Sequence, residues 1–303
     1  MELARPSLKV IQTIHAGLGN QLFQYSFIHY VCQHLNINQF SILKSLFGFT
    51  KSRPFVLKDV LSKDYKFNTF NRIIWEKYFS LIPYTLNRMD NNYSFQVFKE
   101  VDPFKLIDLK NIRGSKVVFY GYFQNHVYVD SVWDQIGPTI FDVTNLKRTL
   151  KSRFQEKKYN VIHVRAGDIT KSSIQNMGTL SPSYYRSVKD QLNNGLENII
   201  VTDDLNWAKK LKVVAHLPID TQIIDNNLMN AWETLALMID AELVISANST
   251  LSWWGSYMCV KKGGKAILPR PWFRNWVGST EALIWGNCST QDSIFIDNLN
   301  ETV

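Results

Sequence analysis

Four short polar stretches carry the residue types that could do chemistry. His163-Val164-Arg165-Ala166-Gly167-Asp168 closes an apolar run beginning at Tyr159. Arginine offers a rigid fork of donors that fits phosphate oxygens and does not deprotonate. Alternation along a strand puts His163 and Arg165 on one face, so His163 could donate to the same ligand. Asp168 could orient Arg165, accept from a sugar hydroxyl, or form a purely structural pair with the arginine. Gly17-Leu18-Gly19-Asn20-Gln21 follows another short apolar run. Its glycines, Gly17 and Gly19, let backbone approach a ligand, and a helix starting there would aim free amides at an anion. Asn20 and Gln21 can both donate and accept. A tight turn with no ligand explains the glycines equally well.

Asp203-Asp204 follows the run NIIVT. A carboxylate at a strand end accepts hydrogen bonds from a ribose or a guanine. Two adjacent acids could instead hold a metal, or Asp204 could simply cap the next helix. The fourth stretch is Ser246-Ala247-Asn248-Ser249-Thr250-Leu251-Ser252-Trp253-Trp254-Gly255. Hydroxyls and amides of Asn248, Ser249 and Thr250 at a helix start would form a phosphate nest. Trp253 and Trp254 read as core or as walls of an acceptor cleft. Glu233 lies in the helix that precedes this segment and has no evident role.

These stretches need a scaffold that holds loops at strand ends. The pattern supplies strands at 9–14, 116–120, 159–165, 198–202, 221–224, 243–247 and 265–268. Helices are expected at 21–35, 182–192, around 207–211 and at 230–238, the second opening on Pro182. Strand–helix alternation predicts parallel sheets covered on both faces, with ligands beyond the carboxyl ends of the strands. Residues 40–115 are aromatic-rich and show few clean periods. The domain boundary is placed near 150–158, giving residues 1–155 and 156–303, with the last residues able to pack back on the first domain.

Composition excludes several classes. The chain has 303 residues, 45% hydrophobic and 20% charged, as expected of a folded globular protein. No apolar run approaches the roughly 20 residues that span a bilayer. Met1 to Lys9 carries Glu2, Arg5 and Pro6 and lacks a signal-peptide core, which gives the expectation of a cytoplasmic protein. Cys32, Cys259 and Cys288 lack metal-ligand spacing and are expected to be buried thiols. The net charge of +8 suits an anionic partner. Much of it falls in Lys147–Lys158, read as a basic amphipathic helix. No nucleic-acid-binding signature accompanies it, so no nucleic-acid partner is expected.

Taken together, GLGNQLFQY, HVRxGD, a strand ending in DD, and ISANSTLSWWG resemble, in that order, the bacterial α-1,2-fucosyltransferases of glycosyltransferase family 11. The resemblance implies an α/β GT-B fold, with two Rossmann-like domains facing each other across a cleft. It implies inverting transfer of L-fucose from GDP-β-L-fucose to a galactoside acceptor glycan, without metal or other cofactor. A lipid-linked acceptor would bring peripheral contact with the inner membrane. Arg165 would neutralise the β-phosphate, and Ser249 and Thr250 would bind the same diphosphate. His163 and Asp203 would contact the guanosine, and Asn20 would reach the sugar-diphosphate from the other domain. Asp168 is one candidate base for the acceptor hydroxyl and His15 a weaker one. The family usually carries two arginines, whereas Ala166 follows Arg165 here. A lost charge-assisted bond, worth about 1.5–3 kcal/mol, would weaken donor binding tenfold or more unless Lys171, Arg270 or Arg274 compensates.

Overall fold

The computed structural model describes residues 8–44, 54–61, 95–112, 115–146, 157–166, 176–192, 195–286 and 288–296. The chain forms two compact units, Met1–Ile140 and Phe141–Val303. Asp168, Gly167, Lys171 and most of the expected basic helix lie outside the described residues. Its last two residues, Lys157 and Lys158, are described and are not helical. They lead into the next strand and pair with Glu197 and Glu242.

The first unit is built on a four-stranded sheet of β1 (Lys9–Ile14), β2 (Phe40–Lys44), β3 (Phe95–Lys99) and β4 (Lys116–Tyr120). All pairs are parallel, in the order β2-β1-β4-β3. β1 is buried at every position after Lys9, as a central parallel strand must be when both faces are covered. The helix α1 (Leu18–His34) starts three residues earlier than its apolar period suggested, because Gly17 is its N-cap. Asn20 therefore sits in its first turn. Phe27, Ile28 and Val31 of this helix pack on Val10, Val117 and Phe119 of the sheet. A four-residue helix, α2 (Lys58–Leu61), and a long helix, α3 (His126–Leu146), complete the unit's helices among the described residues. The sequence reading did not mark α3, which runs past the junction of the two units with Pro138 inside it.

The second unit has a six-stranded parallel sheet in the order β11-β10-β9-β5-β7-β8. Its strands are β5 (Tyr159–Val164), β7 (Glu197–Thr202), β8 (Gln222–Asp225), β9 (Leu243–Ile245), β10 (Lys265–Arg270) and β11 (Ser289–Asp292). A small antiparallel pair joins β6 (Thr179–Leu180) to β12 (Phe295–Ile296). The helices are α4 (Pro182–Ser187), α5 (Leu205–Val214), α6 (Ala231–Ile239), α7 (Thr250–Lys261) and α8 (Ser279–Leu283). The expected helix 182–192 breaks after Ser187 into a 3-10 turn, Lys189–Leu192. Strands β11 and β12 were not expected, being short and largely polar or bounded by turns. Cys32 and Cys259 are buried free thiols; Cys288, free as well, is only half-buried.

Both sheets contain a switch point where strand order reverses, the place where open α/β sheets bind ligands. In the first unit β1 leads to β2 on one side, and β4 lies on the other. In the second unit β5 leads to β7 and β8 on one side, while β9, β10 and β11 lie on the other. The stretches GLGN, HVRAGD and SANST all leave strands that border a switch point.

Candidate active site

Tyr159–Val164 is buried throughout, and it ends just before Arg165. Arg165 is therefore released from the ladder at the carboxyl end of the central strand, half-buried. β9 ends at Ile245, and Ser246 to Ser249 cross to the start of α7 beside it. The Arg165 guanidinium donates from Nη1 to Ser249 Oγ at 3.4 Å, spanning the switch point between β5 and β9. Ser249 is the N-cap of α7, yet its side chain makes no capping hydrogen bond. Its hydroxyl is turned to Arg165, leaving the first-turn amides, including that of half-buried Thr250, without a side-chain cap. A guanidinium beside the positive end of a twelve-residue helix is an arrangement that favours negative charge.

The remaining members of the cluster brace this arrangement. Asp203 accepts the backbone N–H of Ala166 through Oδ1 at 2.8 Å, fixing the chain directly after Arg165. Thus the position where the family's second arginine is expected contributes its backbone to a hydrogen bond from β7's end. Asp204 accepts from Trp207 N at 2.9 Å and caps α5, one of the alternatives left open from sequence. Asn248, 4% exposed, donates from Nδ2 to the carbonyls of Met177 and Gly178. It anchors the chain just before β6. Glu233 accepts from the Asn230 N–H and closes a capping box at the start of α6. Trp253 and Trp254 are both fully buried, so neither walls a cleft. Of the expected compensating cations, Arg274 donates to the Ile296 carbonyl and lies 5.5 Å over the Phe295 ring. Arg270, the last residue of β10, is exposed.

His163 is 3% exposed, and its Nδ1 has no hydrogen-bond partner among the described residues. Burial pushes its pKa down to about 4; Asp203 opposes the shift and Arg165 adds to it. The imidazole is thus neutral beneath the two charged groups. The unfolded chain takes up a proton below about 6.5, whereas the folded chain resists until about 4, so stability is lost as pH falls through that window. The expected result is a melting temperature that falls more steeply between pH 6.5 and 4 in the native protein than in a His163→Gln variant. Parallel slopes in the two scans would contradict it.

In the first unit the glycine turn behaves differently from its sequence reading. The left-handed residue is Ala16, at φ 65°, while Gly17 is extended at φ −74°. A side chain at Gly17 would meet nothing within 4 Å. The open space is compatible with a ligand at the helix N-terminus. Gln21 is structural: its Nε2 donates to the Ala16 and Pro54 carbonyls, and its Oε1 accepts from Val56 and Leu57. Asn20 is half-buried, and its Oδ1 accepts from Gln124 Nε2 at 2.8 Å. That bond spans the switch point between β1 and β4 and leaves the Asn20 amide nitrogen as the donor end. Gly19 is buried within the first turn.

His15 is not suited to the base role considered from sequence. Gln24 Oε1 accepts from the His15 backbone N–H, and Gln24 Nε2 donates to the Gly121 carbonyl. The same nitrogen lies 3.0 Å from His15 Nδ1 and donates to it, engaging that lone pair. Burial also pushes the imidazole's pKa down to about 4. Gln24, Gln124 and Glu100 were all missed in the sequence. Glutamines inside a helix or loop carry no spacing signal, and only an acid just past the FQVFK run hinted at Glu100.

Among the described residues no three His, Cys, Asp or Glu side chains converge as metal ligands, and no helix is long and apolar enough to cross a membrane. Two parallel-sheet α/β units with polar loops at their switch points have the architecture of the GT-B class. The same fold is seen in the crystal structure of the glycosyl transferase family 9 protein from Veillonella parvula DSM 2008, at 7% identity and a TM-score of 0.50, over 98% of this chain and 90% of that one. The family model "Glycosyl transferase family 11" matches residues 7–272, and the chain belongs to that family. It is similar to an alpha-1,2-colitosyltransferase of Escherichia coli, 28% identical over 87% of this chain and 92% of that protein. It is also similar to the O-antigen biosynthesis glycosyltransferase WbnK of Escherichia coli, 25% identical over 86% and 93%.

Proposed function

We propose that the protein transfers L-fucose, with inversion, from GDP-β-L-fucose to the 2-hydroxyl of a terminal galactose, forming an α-1,2 linkage. The observation that carries this reading is the Arg165–Ser249 contact at the head of α7. When a glycosyl–phosphate bond breaks, positive charge grows at C1 and negative charge on the departing diphosphate. A preorganised guanidinium and a helix N-terminus stabilise that second charge without reorganising. Asp203 and Asn248 hold the loops of this site in place, and His163 and Asp203 are assigned to the guanosine. Asn20 is assigned to the sugar end of the donor, with Gly17 and Gly19 admitting the donor to its backbone.

No metal is assigned to the reaction, since Arg165 and the α7 dipole supply the charge a cation would otherwise bring. Transfer is expected to continue in excess EDTA; complete loss restored by Mn²⁺ would shift the role to Asp203 and Asp204. The family supports a glycan acceptor, and the name of the WbnK relative supports a cell-surface polysaccharide. If that acceptor is lipid-linked, the protein would meet it from the cytoplasm at the inner membrane face, the location assigned to it in this reading.

A second reading is favoured by the colitosyltransferase relative. Colitose is fucose without its 3-hydroxyl, so one diphosphate site serves both donors. The deciding assay offers GDP-fucose, GDP-colitose and GDP-mannose with a panel of β-galactosides, followed by linkage analysis. Turnover of GDP-fucose to an α-1,2 product is expected. Exclusive use of GDP-colitose would move the assignment to the second reading, and stabilisation by UDP rather than GDP would overturn both.

A further inference from the structure

Glu100 follows β3 at the carboxyl end of the first sheet. Its N–H donates to the Tyr120 carbonyl, and its carboxylate turns back across the end of β4. There Oε2 accepts from Tyr122 N at 2.5 Å and Oε1 from Phe123 N at 2.7 Å. Gly121 makes this approach possible, because a Cβ there would lie 2.3 Å from the Glu100 Cβ. The carboxylate is thus held in one orientation by two main-chain donors, each oxygen keeping a second lone pair.

The neighbours of this carboxylate are the residues already placed at the β1–β4 switch point. The chain continues from Phe123 to Gln124, which donates to Asn20. The Tyr122 ring lies 4.7 Å from His15 and is 38% exposed, and Val101, beside Glu100 in the chain, is 97% exposed. An exposed ring and an apolar side chain next to a fixed carboxylate suit a sugar. One face of a pyranose offers C–H groups to stack, and its rim offers hydroxyls.

We propose that Glu100 accepts the proton of the acceptor hydroxyl, and that the ends of β1, β3 and β4 form the acceptor-sugar subsite. The proposal rests on the glycosyl-transfer reading above and names its base. In the step, the acceptor O–H bond breaks and its proton passes to a Glu100 oxygen. The acceptor oxygen forms its bond to C1 of the donor sugar. The bond from C1 to the phosphate oxygen breaks, and its electron pair leaves on the nucleoside diphosphate. No oxidant or reductant is needed.

The electrostatics agree with that geometry. Burial pushes the Glu100 pKa up to about 8, partly offset by the Tyr122 and Phe123 amides and reinforced by Asp102. Tyr128 of α3 also faces Glu100, and the Tyr122 ring, whose backbone amide Glu100 holds, lies against the neutral His15, which in turn stacks on Tyr120. No cation pairs with Glu100 among the described residues. A base of this strength is matched to deprotonating a hydroxyl near neutral pH.

The experiment compares the full-length protein with Glu100→Gln and Glu100→Ala, using the most active GDP-sugar and a β-galactoside. Glu100→Gln is expected to lower kcat about 100-fold or more, the usual contribution of a general base. The donor KM and the thermal shift given by GDP are expected to stay unchanged. The native kcat should rise with pH toward a midpoint near 8, and this limb should vanish in the variant. Added formate should restore turnover in Glu100→Ala. A Glu100→Gln variant with native kcat overturns the assignment. So does parallel loss of melting temperature, GDP response and turnover without formate rescue, which is the signature of a brace for the 121–123 turn. A native protein that turns over no GDP-sugar overturns the transfer reading as well.

Discussion

Arg165→Ala is expected to lower kcat/KM by about 100–1,000-fold while the protein remains folded. Removing one preorganised donor from developing charge costs about 3–4 kcal/mol in comparable sites, which converts to that range of rates. Arg165 lies outside β5 and is half-buried, so the core beneath it, Ile162 and Val164, stays packed. Far-ultraviolet circular dichroism and the melting temperature are therefore expected to change little. Arg165→Lys should fall between the two, at about 10–100-fold below native, because lysine keeps the charge and loses the fork that reaches Ser249. Initial rates with GDP-fucose and a galactoside provide the test. Near-native turnover in Arg165→Ala would remove the guanidinium from the mechanism, and a matching fall in melting temperature would make it structural.

The second large effect is on stability. Trp253→Ala is expected to destabilise the protein by about 3–5 kcal/mol, the range for emptying a large aromatic site. Trp253 is fully buried, and its Nε1 donates to the Leu283 carbonyl at 2.5 Å. Its ring meets Trp254 edge-on at 5.3 Å, stacks on Tyr257 at 5.0 Å and meets Trp285 edge-on at 5.4 Å. The truncation thus opens a cavity and leaves a buried carbonyl unpaired. Total stabilities of folded domains run to about 5–15 kcal/mol, so a large fraction is lost. Thermal unfolding should show a decrease of about 10 °C or more. An unchanged melting temperature with a raised acceptor KM would instead make Trp253 a wall of the acceptor site.

Strong local signals carried much of the fold. Buried parallel strands need continuous apolar runs, and YNVIHV, ENIIVT and KVVFY are such runs, so their positions could be read within a residue or two. The same is true of Asn230 and Pro182, whose chemistry marks helix starts. Where two states share one composition, the reading failed. The aromatic stretch before β4 hid β2 and β3, and the polar STQD edge strand was legible only through its pairing with β10. Helix α1 began early because Gly17, not the apolar period, sets its cap.

By itself the sequence determined the class of fold, the family and the side chains able to meet a phosphate, because strand periodicity, glycine turns and a fixed guanidinium are local properties of the chain. Only the tertiary structure decided how those groups are used. It seats Ser249 against Arg165, turns Asp203 to the Ala166 amide, buries both tryptophans and brings Glu100 onto the 122–123 amides. The hydrogen bonds among these join segments that leave different strands, and strand order, which is set by burial of the whole sheet, has no signature in any one stretch.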